Sequence, residues 1–185
     1  MGIDRAVSGR KAVFLDRDGV INAAIVRDGK PYPPASVDVM EMLPGVADAL
    51  HQLRDAGYVL VVVTNQPDVA RGKTPRATID AIHDKLRAEL PLDAIYACFH
   101  DDAECCLCRK PGPGMLLDAA RDLDLDLSQS FMVGDRWRDT DAGIAAGTRT
   151  VFINRNYQER KPTSFDIEVS SLVEAAEWIL GKGQR

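Results

Sequence analysis

Three features of the 185-residue sequence predict an α/β protein built on a doubly wound parallel sheet. Short apolar runs alternate with longer segments of helical periodicity along the chain. The runs are apolar throughout instead of alternating, as in strands covered on both faces. Carboxylates, hydroxyls and amides stand directly after those runs, at the strand ends where open parallel sheets bind ligands. Right-handed crossovers then connect the strands.

The elements follow in order. "AVFLD" (12–16) is the first strand. Residues 24–43 form an insert before the first helix, too small for a separate cap domain. Residues 45–56 place Val46, Leu50 and Leu53 on one helical face, and Gly57 is a C-terminal stop. "YVLVVVT" (58–64) is a second strand. Residues 75–90 place Ile79, Ile82, Leu86 and Leu90 on one face, with Thr74 as the cap and Pro75 in the first turn. "AIYAC" (94–98), a helix over 114–123, "SFMVGD" (130–135), a turn into another helix at 135–139, "TRTVFIN" (148–154) and a helix over 171–180 complete the series. The polar stretch 155–166 carries no assignable role. One domain spanning 1–185, with its core at about 12–180, accounts for the chain.

Composition narrows the function. Hydrophobic residues make up 45%, ample for one core. A net charge of −5 argues against a general nucleic-acid binder, yet allows a local cationic pocket. No apolar run reaches membrane-span length, and the opening "MGIDRAVSGR" has no apolar signal region. Ala6 stands where a myristoylation motif requires Ser or Thr. A cytoplasmic monomer with reduced thiols is expected.

The strand ends carry the chemistry. After the first come Asp16, Asp18 and Gly19; two carboxylates so close favour a hard divalent cation, although Asp and Gly also build plain turns. One carboxylate suits a nucleophile and the other an acid/base. The second strand ends on Thr64, Asn65 and Gln66, with a hydroxyl and an amide where an anion can sit, or where a loop is capped. Lys110 offers a cation for a phosphoryl group. Asp135 directly follows a strand and is a second metal carboxylate, while Asp139 reads as a helix cap. Together these residues suit phosphoryl transfer.

All four cysteines lie in "CFHDDAECCLCRKPGPG" (98–114). Cys98, His100, Cys106 and Cys108 form two ligand pairs, and three sulfurs with one imidazole suit a closed tetrahedral zinc site. Cys105 adjoins Cys106 and offers the same sulfur, so either completes the set. A disulfide or a metal-free thiol cluster is the alternative. Zinc there would fix where Arg109 and Lys110 point.

"FLDRDGVIN", "VVVTNQ", "RKPGPGM" and "VGDRWRDTDAG" resemble, in order, the four motifs of the haloacid dehalogenase (HAD) superfamily of phosphatases. With the cysteine loop, they are most similar to its subgroup of heptose-bisphosphate and histidinol-phosphate phosphatases. The loop's inter-pair stretch, "DDAEC", is shorter than in the heptose enzymes. The resemblance implies attack on phosphorus by Asp16, proton transfers by Asp18, and magnesium held by Asp16, the Asp18 carbonyl and Asp135. It implies phosphoryl contacts from Thr64, Asn65, Gln66 and Lys110, a substrate contact from Arg109, and structural zinc. The expected substrate is a small phosphate monoester, foremost the 7-phosphate of a heptose 1,7-bisphosphate, with histidinol phosphate second. Arg71, Arg136 and Arg138 are candidates for a second phosphate. Trp137 flanks the pocket or packs a helix, and His51 and His83, both within helices, are read as non-catalytic. A phosphorylatable receiver module shares the aspartates, Thr and Lys but not the Asp-x-Asp-Gly spacing, and a zinc-stabilised binding protein would lack turnover.

Overall fold

Four fully buried residues, Ala12–Leu15, form β1, and the sheet is built outward from them. The computed structural model of the chain describes residues 9–182; the expectations drawn from residues 1–8 lie outside the described residues. After β1 come β2 (Ile25–Arg27), β3 (Lys30–Tyr32), α1 (Val46–Asp55), β4 (Val59–Asn65), α2 (Arg76–Glu89) and β5 (Ala94–Cys98). Then follow α3 (Gly114–Leu123), β6 (Phe131–Gly134), α4 (Trp137–Ala146), β7 (Arg149–Ile153), β8 (Ile167–Val169) and α5 (Leu172–Lys182). Six parallel strands lie in the order β5-β4-β1-β6-β7-β8. The chain winds from β1 to one edge, then returns beside β1 and winds to the other. That reversal places a ligand crevice at the carboxyl ends of β1, β4 and β6.

Alternate residues of β1 serve two cores. Val13 and Leu15 pack with Leu50 and Leu53 of α1, Leu86 of α2 and Ile179 of α5. Ala12 and Phe14 pack with Leu116 and Ala119 of α3 and Ala142 of α4. Both faces are therefore apolar, which explains the unbroken hydrophobic runs in β1 and β4.

The expected strands and helices form within two residues of their expected limits, and among the described residues there is no separate cap domain. Three details differ. Pro75, extended at ψ 140°, is the N-cap of α2, and Thr74 lies outside it with no capping bond. The insert folds as a hairpin, β2 paired antiparallel to β3. Its turn sets Asp28 and Gly29 at φ 50° and 70°, a conformation for which Asp-Gly is a recognisable signal. Three-residue β8 has no apolar run to announce it.

Candidate active site

Asp16 follows β1, Thr64 is the last residue but one of β4 and Asp135 follows β6, so three adjacent strands bring them to one edge. Lys110, only 2% exposed, reaches the same point from the loop before α3. Its Nζ lies 2.8 Å from Asp16 Oδ1, 2.6 Å from Asp139 Oδ1 and 2.7 Å from the Val63 carbonyl oxygen. Burial opposes the charge on Lys110, but Asp139 and Asp16 outweigh it and raise its proton affinity. Asp139 also accepts from the Arg136 backbone N–H at 3.0 Å, so it caps α4 and pairs with Lys110 at once. Only its capping role was legible in the sequence.

Oxygens of Asp16, Asp135 and Asp139 lie within 4.8 Å of one another. Three carboxylates facing one ammonium leave an excess of negative charge in a buried place. Burial, only partly offset by Lys110, pushes Asp16 up to about 6. Burial and the Asp16 charge push Asp135 well above the usual carboxylate range. Asp135 Oδ2 accepts from the Tyr157 hydroxyl at 2.8 Å, whereas its Oδ1 is buried with no hydrogen-bond partner. An orphaned carboxylate oxygen, hard donors and surplus negative charge fit a magnesium ion. Gly19 makes room for this arrangement. Its φ is +85°, and a Cβ there would stand 1.8 Å from Asp135 Oδ2.

Asp18 is held separately. Fully buried Arg17 donates to its Oδ1 at 3.2 Å and 3.1 Å and to its Oδ2 at 2.9 Å. Asn22 and Gln66 donate to it at 2.9 Å and 3.0 Å. Burial pushes the Asp18 carboxyl up, but the Arg17 charge and these hydrogen bonds prevail and hold it below its ordinary value. Arg17 Nη1 also lies 3.3 Å from Nε2 of buried His83, a residue of α2. A buried guanidinium beside it makes that nitrogen an acceptor, so His83 belongs to the support of Asp18.

Other expected contacts are placed differently. The Asn65 amide donates to the Lys110 carbonyl at 3.0 Å and accepts from the Lys110 N–H at 3.1 Å. The Gln66 amide is taken by Asp18 and, at 2.9 Å, by Thr64 Oγ1. Both amides brace the site, and both residues line the cavity that opens on Asp16. Arg136 is bound through two nitrogens to Glu159, at 2.6 Å and 2.7 Å. Trp137 lies between Arg138 and Arg160, 4.8 Å and 4.4 Å from its centroid. The unassigned stretch 155–166 supplies Tyr157 and Glu159, and its Arg155 donates to the Gly19 carbonyl at 2.8 Å. Nothing in its polar composition signalled this bracing.

In the cysteine loop, Cys98, His100, Cys106 and Cys108 come together, and Cys105 is exposed away from them with φ 47°. The sulfurs lie 3.5, 3.1 and 3.4 Å apart, and His100 Nδ1 is 3.6 Å from Cys98 and 3.3 Å from Cys108. A tetrahedron with edges near 3.4 Å has its centre about 2.1 Å from each vertex, close to zinc–sulfur and zinc–nitrogen bond lengths. Burial, opposed by hydrogen bonds from Cys108 and Cys98, leaves Cys106 at about 7, a readily formed thiolate. A zinc ion held by all four donors would have no open position for water.

A cavity of about 330 Å³ opens on Asp16, Thr64 and Lys110 and is rimmed by Tyr32 of the hairpin, Arg109 and Arg138. A larger groove of about 720 Å³, between the cysteine loop and α3, holds none of the strand-end carboxylates.

Fold and site together define a HAD-like hydrolase, and a model of the HAD-hydrolase-like family matches residues 107–173. The chain is 38% identical over 181 residues to D-glycero-β-D-manno-heptose-1,7-bisphosphate 7-phosphatase of Salmonella typhi, covering 91% of this chain and 89% of that protein. The Escherichia coli K12 protein of the same name is also 38% identical, with 91% and 87% covered. The crystal structure of D,D-heptose 1,7-bisphosphate phosphatase from B. bronchiseptica, complexed with magnesium and phosphate, matches with a TM-score of 0.80 and 37% identity over 93% of this chain and 99% of that one. The chain belongs to the heptose-1,7-bisphosphate 7-phosphatase family of HAD phosphatases, enzymes that hydrolyse phosphate monoesters.

Proposed function

We propose that this phosphatase removes the 7-phosphate of D-glycero-D-manno-heptose 1,7-bisphosphate. The observation that carries the chemistry is Lys110 Nζ, buried against both Asp16 and Asp139 beside the unpartnered oxygen of Asp135. Family membership supports the substrate. Asp16, Asp135 and the Asp18 carbonyl would hold magnesium, with Asp139 beside them. That ion, when bound, neutralises the carboxylates and draws charge from the phosphoryl oxygens.

An Asp16 oxygen attacks phosphorus, the phosphorus–oxygen ester bond breaks, and the sugar oxygen leaves with a proton from Asp18. Asp18 rests ionised against Arg17; a phosphoryl dianion beside it raises its proton affinity, so Asp18 takes a proton from solvent as the substrate binds. Asp18 then takes a proton from the water that cleaves the aspartyl-phosphate, releasing inorganic phosphate. Lys110, the Thr64 hydroxyl and the backbone N–H after it hold the transferred group. The four donors of the cysteine loop bind zinc, which holds Arg109 and Lys110 in place.

The test is phosphate release with magnesium from heptose 1,7-bisphosphate, histidinol phosphate and common sugar monophosphates. The bisphosphate is expected to give the highest kcat/KM, and Asp16→Asn to lower release at least about a thousandfold with the fold intact. Higher kcat/KM on histidinol phosphate overturns the substrate; an active Asn variant overturns the mechanism.

A further inference from the structure

Three guanidinium groups converge on one carboxylate at the mouth of the cavity. Arg109 Nε and Arg138 Nη1 donate to Asp102 Oδ1 at 2.8 Å and 3.0 Å, and Arg71 Nη2 lies 3.6 Å from Asp102 Oδ2. The arginines come from separate places: the loop after β4, the end of the cysteine loop, and α4. Each is held independently of Asp102. Arg71 binds Asp101 and Asp68, Arg109 donates to the His100 carbonyl at 3.3 Å, and Arg138 lies over the Trp137 ring. All four residues line the cavity that opens on Asp16, as do Lys30 and Lys73.

We infer that Asp102 is an internal counter-ion occupying the place of the substrate's second phosphate, which must displace it to bind. The inference rests on the bisphosphate reading above and adds to it a resident counter-ion that weakens bisphosphate binding and holds the arginines together when the substrate is away. Asp102 sits on a short 3-10 turn, Asp102–Glu104, with its side chain 53% exposed, so it can swing into water. A phosphate monoester dianion carries twice the charge of a carboxylate and three free oxygens, and matches several guanidiniums better than Asp102 does. A sugar with a single phosphate, bound at Asp16, has nothing to exchange for Asp102. Asp102 therefore lowers affinity for the bisphosphate and keeps the arginines paired when it is absent.

The experiment compares the parent chain with Asp102→Asn and Asp102→Ala on heptose 1,7-bisphosphate and heptose 7-phosphate at saturating magnesium. Both variants are expected to lower KM for the bisphosphate about two- to fivefold, the size of an exposed ion pair, at constant kcat and with a smaller change for the monophosphate. An unchanged or raised bisphosphate KM, or an equal fall for both substrates, overturns the inference; a raised one would make Asp102 an orienting group for the arginines. Arg138→Met changes a residue of α4 and none of the four clustered Cys and His side chains; it is expected to raise the bisphosphate KM, and no effect there also counts against the subsite. A parent chain that hydrolyses only the monophosphate overturns the substrate reading itself, an outcome seen before any substitution is made.

Discussion

Tyr157 donates its hydroxyl to Asp135 Oδ2 and leaves Oδ1 free, so one oxygen is oriented and the other is open to a cation. Tyr157→Phe removes that orientation without creating a large void. Outer partners of metal ligands typically contribute ten- to hundredfold in metal affinity. The variant is expected to need about tenfold more magnesium for half-maximal rate, read from activity against magnesium concentration; an unchanged requirement would show that Asp135 is oriented by other contacts. Gly19 is constrained more tightly, because its left-handed φ and the nearby Asp135 each exclude a side chain. Gly19→Ala is expected to abolish phosphate release.

At the scale of elements, α2 does more than cover the sheet. His83 lies on its buried side and meets Arg17, which in turn holds Asp18. Burial and the Arg17 charge lower His83 from 6.5 to about 4. Between those values the unfolded chain takes up a proton that the folded chain refuses. This contribution is complete above 6.5 and is lost as pH falls toward 4, by up to about 1.4 kcal/mol per pH unit. His83→Gln keeps an acceptor for Arg17 and removes the titration. Urea unfolding at neutral and mildly acidic pH is expected to show a shallower loss of stability for this variant; equal slopes would place the acid sensitivity elsewhere. The β2–β3 hairpin makes a similar join, since Gly29 at its turn accepts from the Gln158 N–H at 2.8 Å. One segment thus connects the hairpin, Gly19 and Asp135.

For the whole molecule, the proposed zinc site predicts that the cysteine loop couples stability to catalysis. It presents Asp102 and Arg109 to the cavity and ends at Lys110, and its Cys98, Cys106 and Cys108 pack against the core shared by β1 and α3. Chelating zinc is expected to lower Tm by at least about 4 °C, to release one zinc per chain by metal analysis, and to raise KM. Stability and KM that both survive chelation would remove zinc from the account. Among the described residues, no helix is long and apolar enough to cross a membrane. The fold was legible because β4 is apolar throughout and the helices repeat their apolar residues at three and four steps, both local properties of the chain. Asp16, Thr64 and Asp135 were legible for the same reason: each stands where an apolar strand stops. The sequence by itself therefore determined the doubly wound sheet and the edge where its chemistry lies. Tertiary structure alone decided that Lys110 pairs with Asp139, that the Asn65 and Gln66 amides turn inward, that Cys106 and not Cys105 joins the cluster, and that Tyr157 reaches Asp135. Each of these depends on the spatial relation of side chains set by backbone packing, which residue order and local periodicity do not encode.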